Sequence, residues 1–173
     1  FNDYEKFFDT IDVSSLLTQS LKCNFPMQSM SFALQQHLAP RVLQCQGYTS
    51  RIITIFKSIL AGCRFSTSFT KALTQPDLQL IHDEYPKANL GVHVDDTSMQ
   101  SVAPTFNEIL DELVPSVYKF AKMAKKLKLR LSPKAVVTSS NPKLTLPIRR
   151  ELKESGLLFR QTSCARDLGI DHN

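Results

Sequence analysis

Thr105 and Glu108 stand three residues apart, immediately before the longest amphipathic repeat in the chain. That T-x-x-E spacing is a helix-start signature, in which each side chain satisfies a backbone N–H at the other's end of the first turn. From there Phe106, Ile109, Leu110, Leu113, Val117, Phe120, Ala124 and Leu127 recur every three or four positions. The repeat predicts one long helix with a single buried face. Pro115 interrupts it and predicts a kink.

Upstream, Asp12 or Ser14 offers an N-cap for a short helix carrying Leu16, Leu17 and Leu21. Pro26 precedes a second helix with Met27, Met30, Leu34 and Leu38 at helical spacing, and Pro40 ends it. Arg51–Phe56 reads as a β-rich run. Gly62 and the Ser/Thr residues after it open a helix over roughly 66–73, with a fresh turn at Pro76. Leu90, Val92 and Val94 alternate on one face of a strand, and Gly91, His93 and Asp95 on the other. Asp95-Asp96 falls where a tight turn joins two strands of a hairpin. Past the long helix, short strands are expected near Leu129–Leu131 and Ala135–Thr138, a charged helix near Leu146–Glu154, and strands at Leu157–Gln161 and Asp167–Ile170. Strands and helices mixed around one antiparallel sheet make the fold class α+β, in a single domain over 1–173.

Composition narrows the function classes. No apolar run approaches the ~18–20 residues of a membrane span, so a membrane partner is not expected. The four cysteines (Cys23, Cys45, Cys63 and Cys164) show neither CxxC spacing nor a dense framework, and read as reduced, buried thiols of an intracellular protein. Net charge is +5, from 21 basic and 16 acidic residues, with Lys119, Lys122, Lys125, Lys126, Lys128 and Arg130 clustered. Such a stripe suits a polyanion or a solvated helix face.

Two adjacent carboxylates at a strand turn can simply be hydrated. Asp3 supplies a third, at the end of another apparent strand formed by Phe1-Asn2-Asp3. If the two strands are neighbours, three carboxylates converge at one sheet end, which is what a two-metal phosphoryl-transfer site needs.

At this point several segments resemble a known family. Asp3-Tyr4-Glu5-Lys6-Phe7-Phe8-Asp9 is similar to the first palm motif of reverse transcriptases of the non-LTR retrotransposon and group II intron type. Gly62-Cys63-Arg64-Phe65-Ser66 resembles their Gly-Cys-Pro-Leu-Ser loop, and His93-Val94-Asp95-Asp96 their Tyr-Ala-Asp-Asp hairpin. Leu131-Ser132-Pro133-Lys134 resembles the later Lys-bearing motif, and Asp167-Leu168-Gly169-Ile170 the Tyr-Leu-Gly-Ile strand that grips the primer. All five occur in the family's order.

The resemblance implies a polymerase palm: an antiparallel sheet of about four strands packed on helices, ferredoxin-like, with fingers and thumb outside this chain. It implies RNA-directed DNA synthesis from deoxynucleoside triphosphates on an RNA template with a DNA primer, and nuclear localisation. Asp3, Asp95 and Asp96 would hold two Mg²⁺ ions, with Mn²⁺ as substitute. Phe8 would be the steric gate against a 2′-hydroxyl, although its residue type suits a core position equally. Gly62 and Ser66 would face the nucleotide, and Lys134 would neutralise or protonate the leaving pyrophosphate. His93, Leu168 and Gly169 would meet the primer. The sequence departs from the pattern at Ala61 (usually Gln), Arg64 (usually Pro) and His93 (usually Tyr). Because the chain starts two residues before Asp3, the isolated chain is expected to be a poor catalyst. The competing readings are a degenerate palm without chemistry, a metal-dependent nuclease, and a non-catalytic nucleic-acid-binding module.

Overall fold

A computed structural model describes residues 4–162, 165–167 and 170–172. It divides into two compact units, Lys6–Pro76 on its own and Phe1–Glu5 together with Asp77–Asn173. Helices and short, mostly antiparallel strand pairs are mixed along the chain, an α+β composition.

In the Lys6–Pro76 unit, α1 (Phe7–Thr10) and α2 (Val13–Lys22) are separated by Ile11 and Asp12. Asp12 is the N-cap. Its Oδ1 accepts from the Ser15 backbone N–H and the Ser15 hydroxyl, both at 2.9 Å, and so satisfies a donor that the first turn leaves open. α2 buries Leu16, Gln19 and Ser20 and turns Leu21 to solvent. α3 (Met27–Leu38) buries Met30, Ala33, Leu34 and His37, the i, i+3, i+4, i+7 set of one face. Next comes a hairpin of β1 (Gln44–Cys45) and β2 (Tyr48–Thr49), closed by Gln46 and Gly47. Both loop residues have positive φ, 48° and 83°, as the two-residue turn matching strand twist requires. Pairing continues through Ser50 N–H to Leu43 O at 2.8 Å and ends in an Arg41–Ile53 bridge. Between these rungs Arg51 and Ile52 face Val42 alone, the two-against-one count of a β-bulge. The strand expected over Arg51–Phe56 does not form; of that run Ile53 alone makes a bridge, on the return side of the hairpin.

α4 (Ser66–Glu84) runs straight through Pro76, where the sequence suggested a fresh turn. Pro76 has no N–H for the Ala72 carbonyl four residues back. The Cys23 thiol donates to that carbonyl at 4.0 Å, a weak replacement. Phe69 is fully buried, with the rings of His37, Phe25 and Phe65 between 5.5 and 6.1 Å from it.

In the other unit, β3 (Ala88–His93) and β4 (Asp96–Ser101) form an antiparallel hairpin. α5 (Phe106–Lys126) packs on β4. The Thr105 hydroxyl oxygen accepts from Glu108 N–H at 3.4 Å, and the hydroxyl donates to the Glu108 carboxylate at 2.7 Å. α5 is one helix across Pro115, beside which the Ser116 hydroxyl donates to the Leu113 carbonyl at 2.8 Å. β5 (Val136–Val137), α6 (Pro142–Glu154) and β6 (Arg160–Gln161) form a strand–helix–strand unit whose strands are parallel. α6 starts four residues before Leu146 because Pro142 sits at its first turn, after an Asn141 cap. Val117, Ala135, Ile148, Leu152 and Phe159 form the core here, and a cavity of about 470 Å³ opens against it beside Ile109 and Leu113. β7 (Ala165–Asp167) pairs antiparallel with β8 (Ile170–His172), so the strand expected over Asp167–Ile170 is divided between two elements.

The single antiparallel sheet of about four strands is not what the described residues form. Each of their sheets has two strands, and one pair is parallel. Leu129–Leu131 shows why. Lys128 turns the chain with φ 61° just before it, and Pro133 just after it has no N–H to donate. What remains is one antiparallel bridge, Tyr4 to Leu131, with Glu5 N–H donating to Arg130 O at 2.8 Å.

Candidate functional site

The β3–β4 hairpin pairs His93 with Asp96, Gly91 with Ser98 and Asn89 with Gln100 on one face. Ala88, Thr97 and, in part, Leu90 and Met99 are covered on the other. Val94 and Asp95 are the two loop residues. The sequence reading placed Asp95 with His93 on the polar face. The turn removes two residues from the period-two count, so Asp96 takes that place and Asp95 stands in the loop. Val94 has φ 56°, a left-handed conformation costly for a β-branched residue. The result is two half-buried carboxylates side by side at a strained turn. On the open face, a Cβ at Gly91 would lie 2.6 Å from Ser98 Oγ, so a side chain there forces Ser98 to move.

Asp3 lies outside the described residues. Its neighbour Tyr4 is buried against Phe120, with ring centroids 5.9 Å apart, and burial pushes its phenol well above the ordinary value. The Tyr4–Leu131 bridge sets the chain just after Asp3 beside Leu131-Ser132-Pro133-Lys134. Ser132 Oγ accepts from Lys134 N–H at 3.2 Å, and the Lys134 side chain is exposed. Among the described residues no group of three or more His, Cys, Asp or Glu side chains could hold a metal. Asp95 and Asp96 fit a hydrated Mg²⁺ as far as two donors go: both are oxygen ligands, and both reach solvent.

The nucleotide-side residues belong to the Lys6–Pro76 unit. Phe8 is half-buried and edge-on to Phe7 at 5.4 Å, and its carbonyl accepts from Ile59 N–H at 3.0 Å. Gly62 has φ 78° with open space around it, so the glycine serves the backbone turn. Ser66 is buried and its hydroxyl donates to the Leu60 carbonyl. The other backbone group of the same residue is held as well: Leu60 N–H donates to His37 Nδ1 at 2.7 Å. His37 is fully buried, its Nε2 has no partner among the described residues, and burial first, then Arg41, lowers its pKa. Sequence reasoning missed this residue, because its partner lies 23 positions away.

Leu168 and Gly169 lie outside the described residues, as does Cys164. Cys23 and Cys63 are half-buried free thiols, but Cys45 is exposed at the hairpin tip, not buried as expected. Both residues of its strand, Gln44 and Cys45, are exposed. The Lys119–Arg130 stripe is partly neutralised: Lys119 pairs with Glu84, Lys126 with Asp77 at 2.8 Å, and Lys122 lies over the Tyr118 ring. Among the described residues no helix is long and apolar enough to cross a membrane. Comparison with protein-family models, curated proteins and solved structures finds no match in any of the three.

Proposed function

We propose that this chain is the palm region of a retroelement-type reverse transcriptase, and that the Asp95–Asp96 turn is its divalent-cation corner. The observation that carries the reading is the register of the β3–β4 hairpin. It sets two adjacent carboxylates at the turn of an antiparallel pair backed by a long helix. The motif order from Asp3 to Ile170 adds to it. Two divalent ions bound there would neutralise charge on the attacking and leaving oxygens of an in-line phosphoryl transfer. Asp95 and Asp96 would supply oxygen ligands, together with Asp3. Lys134, exposed on a short turn, would carry a proton or a positive charge to the leaving pyrophosphate. Phe8, Gly62, Ser66, His93, Leu168 and Gly169 keep the nucleotide and primer roles that the resemblance implies. RNA template, DNA primer and deoxynucleotides are the proposed partners.

Thermal unfolding in 10 mM Mg²⁺ tests the corner. An ion with a millimolar Kd stabilises by about 1.4 kcal/mol at ten times Kd, or a Tm rise of roughly 3–6 °C for a chain of this size. Asp95→Asn and Asp96→Asn should each abolish the rise. Primer extension on an RNA template with deoxynucleotides then separates an active palm from an inactive one, which Ala61, Arg64 and His93 favour. Equal Mg²⁺ response in the wild type and Asp95→Asn, with equal extension, removes the carboxylates from the reading.

A further inference from the structure

The formal charge is divided unevenly. Lys6–Pro76 carries seven Lys and Arg against Asp9 and Asp12 alone, so the whole net charge of +5 lies in that unit. The other unit balances fourteen basic residues with fourteen acidic ones. From Val13 to Pro76 there is no Asp or Glu at all.

The β1–β2 hairpin lies inside this acid-free stretch, and every residue from 42 to 54 is exposed. Tyr48 is 82% exposed and Phe56, just past the hairpin, 85%. Arg51 and Lys57 are exposed near them. Two large rings held in water, one on a thin two-stranded arm and one just past it, bury little for the fold. Cations without neighbouring carboxylates have nothing of opposite sign close by in sequence. A second copy of the same surface would bring like charges together. A duplex offers phosphates but keeps its base faces stacked inside. A single strand offers both chemistries at once: phosphates along the backbone, and unpaired bases for flat rings.

We propose that segment 41–57, the hairpin together with the residues just past it, is a binding surface for single-stranded polynucleotide. Tyr48 and Phe56 stack on bases, and Arg51 and Lys57 meet phosphates. This goes beyond the polymerase reading and does not use the carboxylate corner. It is therefore tested in EDTA without nucleotides, where binding can succeed or fail whatever becomes of the metal site.

The probe is a 5′-labelled oligouridylate of twenty nucleotides, read by fluorescence polarisation on the 173-residue chain between 50 and 200 mM KCl. For single strands, log K falls with log salt by about 0.7 per phosphate neutralised. Arg51→Gln/Lys57→Gln should therefore lower the slope by about 1.4. Tyr48→Ala and Phe56→Ala should each weaken binding roughly five- to a hundredfold and leave the slope unchanged. Phe56→Tyr keeps the ring and should bind as the wild type does. So should Phe32→Ala, an exposed ring on α3 outside the hairpin. Three results would each overturn the proposal: ring-deleted variants that bind as tightly as wild type, a duplex of equal length that binds as tightly as the single strand, or an unchanged slope in Arg51→Gln/Lys57→Gln. A fourth is displacement of the RNA by polyglutamate as readily as by unlabelled RNA, which would reassign the surface to acidic peptide.

Discussion

Replacing Val94 by Gly and, separately, by Ala measures the turn that aims Asp95 and Asp96. Both variants lose the same two methyl groups, so lost packing cancels between them; only the Cβ differs. At an ordinary φ, Ala is the more stable choice by about 0.4–1 kcal/mol, because Gly frees the unfolded chain. At φ 56°, a residue with a Cβ carries about 1–2 kcal/mol of steric cost that Gly escapes. The two terms oppose each other, and the larger wins: Val94→Gly should be more stable than Val94→Ala by about 0.5–1 kcal/mol. With a urea m-value of about 2 kcal/mol/M, the midpoints separate by roughly 0.25–0.5 M, with Gly higher. The assay is equilibrium urea unfolding of the two variants side by side. If Ala is the more stable, residue 94 lies at negative φ. The loop is then not Val94–Asp95, and His93 and Asp96 do not share a rung.

Two further outcomes follow from buried groups. Below about pH 6.5 the unfolded chain protonates His37 while the folded chain resists, since burial and Arg41 lower its pKa. Its contribution to stability is complete above that pH and declines as pH falls below it, levelling once the folded imidazole protonates. Wild type should therefore lose more stability than His37→Gln between pH 7.5 and 5.5, and equal losses would refute the linkage. Leu152 is 1% exposed and borders the cavity of about 470 Å³. Leu152→Ala extends a void that has not closed, so it should cost about 3–5 kcal/mol, the upper part of the known range. A loss under 2 kcal/mol in urea unfolding would mean that the site collapses.

The parts of the fold legible in the sequence were those written in many residues at once. α5 repeats its apolar position eight times behind a capping pair, and the structure keeps the helix and the Thr105 half of the cap, with the Glu108 carboxylate turned to the Thr105 hydroxyl. α4 was cut short because Pro76 signals a break, whereas the compensating thiol of Cys23 is distant in sequence. The β1–β2 hairpin was missed because strands of two residues show no alternation, and Gln46-Gly47 is a weaker turn signal than Asn-Gly. At the candidate site, the hairpin around Asp95-Asp96 was legible, but which carboxylate faces His93 was not. That depends on where the turn begins, and a shift of one residue reverses every face. The hold of His37 on the Leu60 N–H, 23 positions away, leaves no periodic trace in the sequence.

The run from Ile52 to Phe56, exposed except at half-buried Ile55, has a second consequence. Ile52, Ile53, Ile55 and Phe56 are strand formers, and no charge interrupts them. An uncovered edge of that kind can zip onto an identical edge from another molecule and seed fibrils. Arg51 and Lys57 bracket it at both ends, where like-charge repulsion between copies acts as a gatekeeper. Anything that neutralises those two cations, whether a bound polyanion or a pair of glutamines, also lowers the barrier to self-assembly.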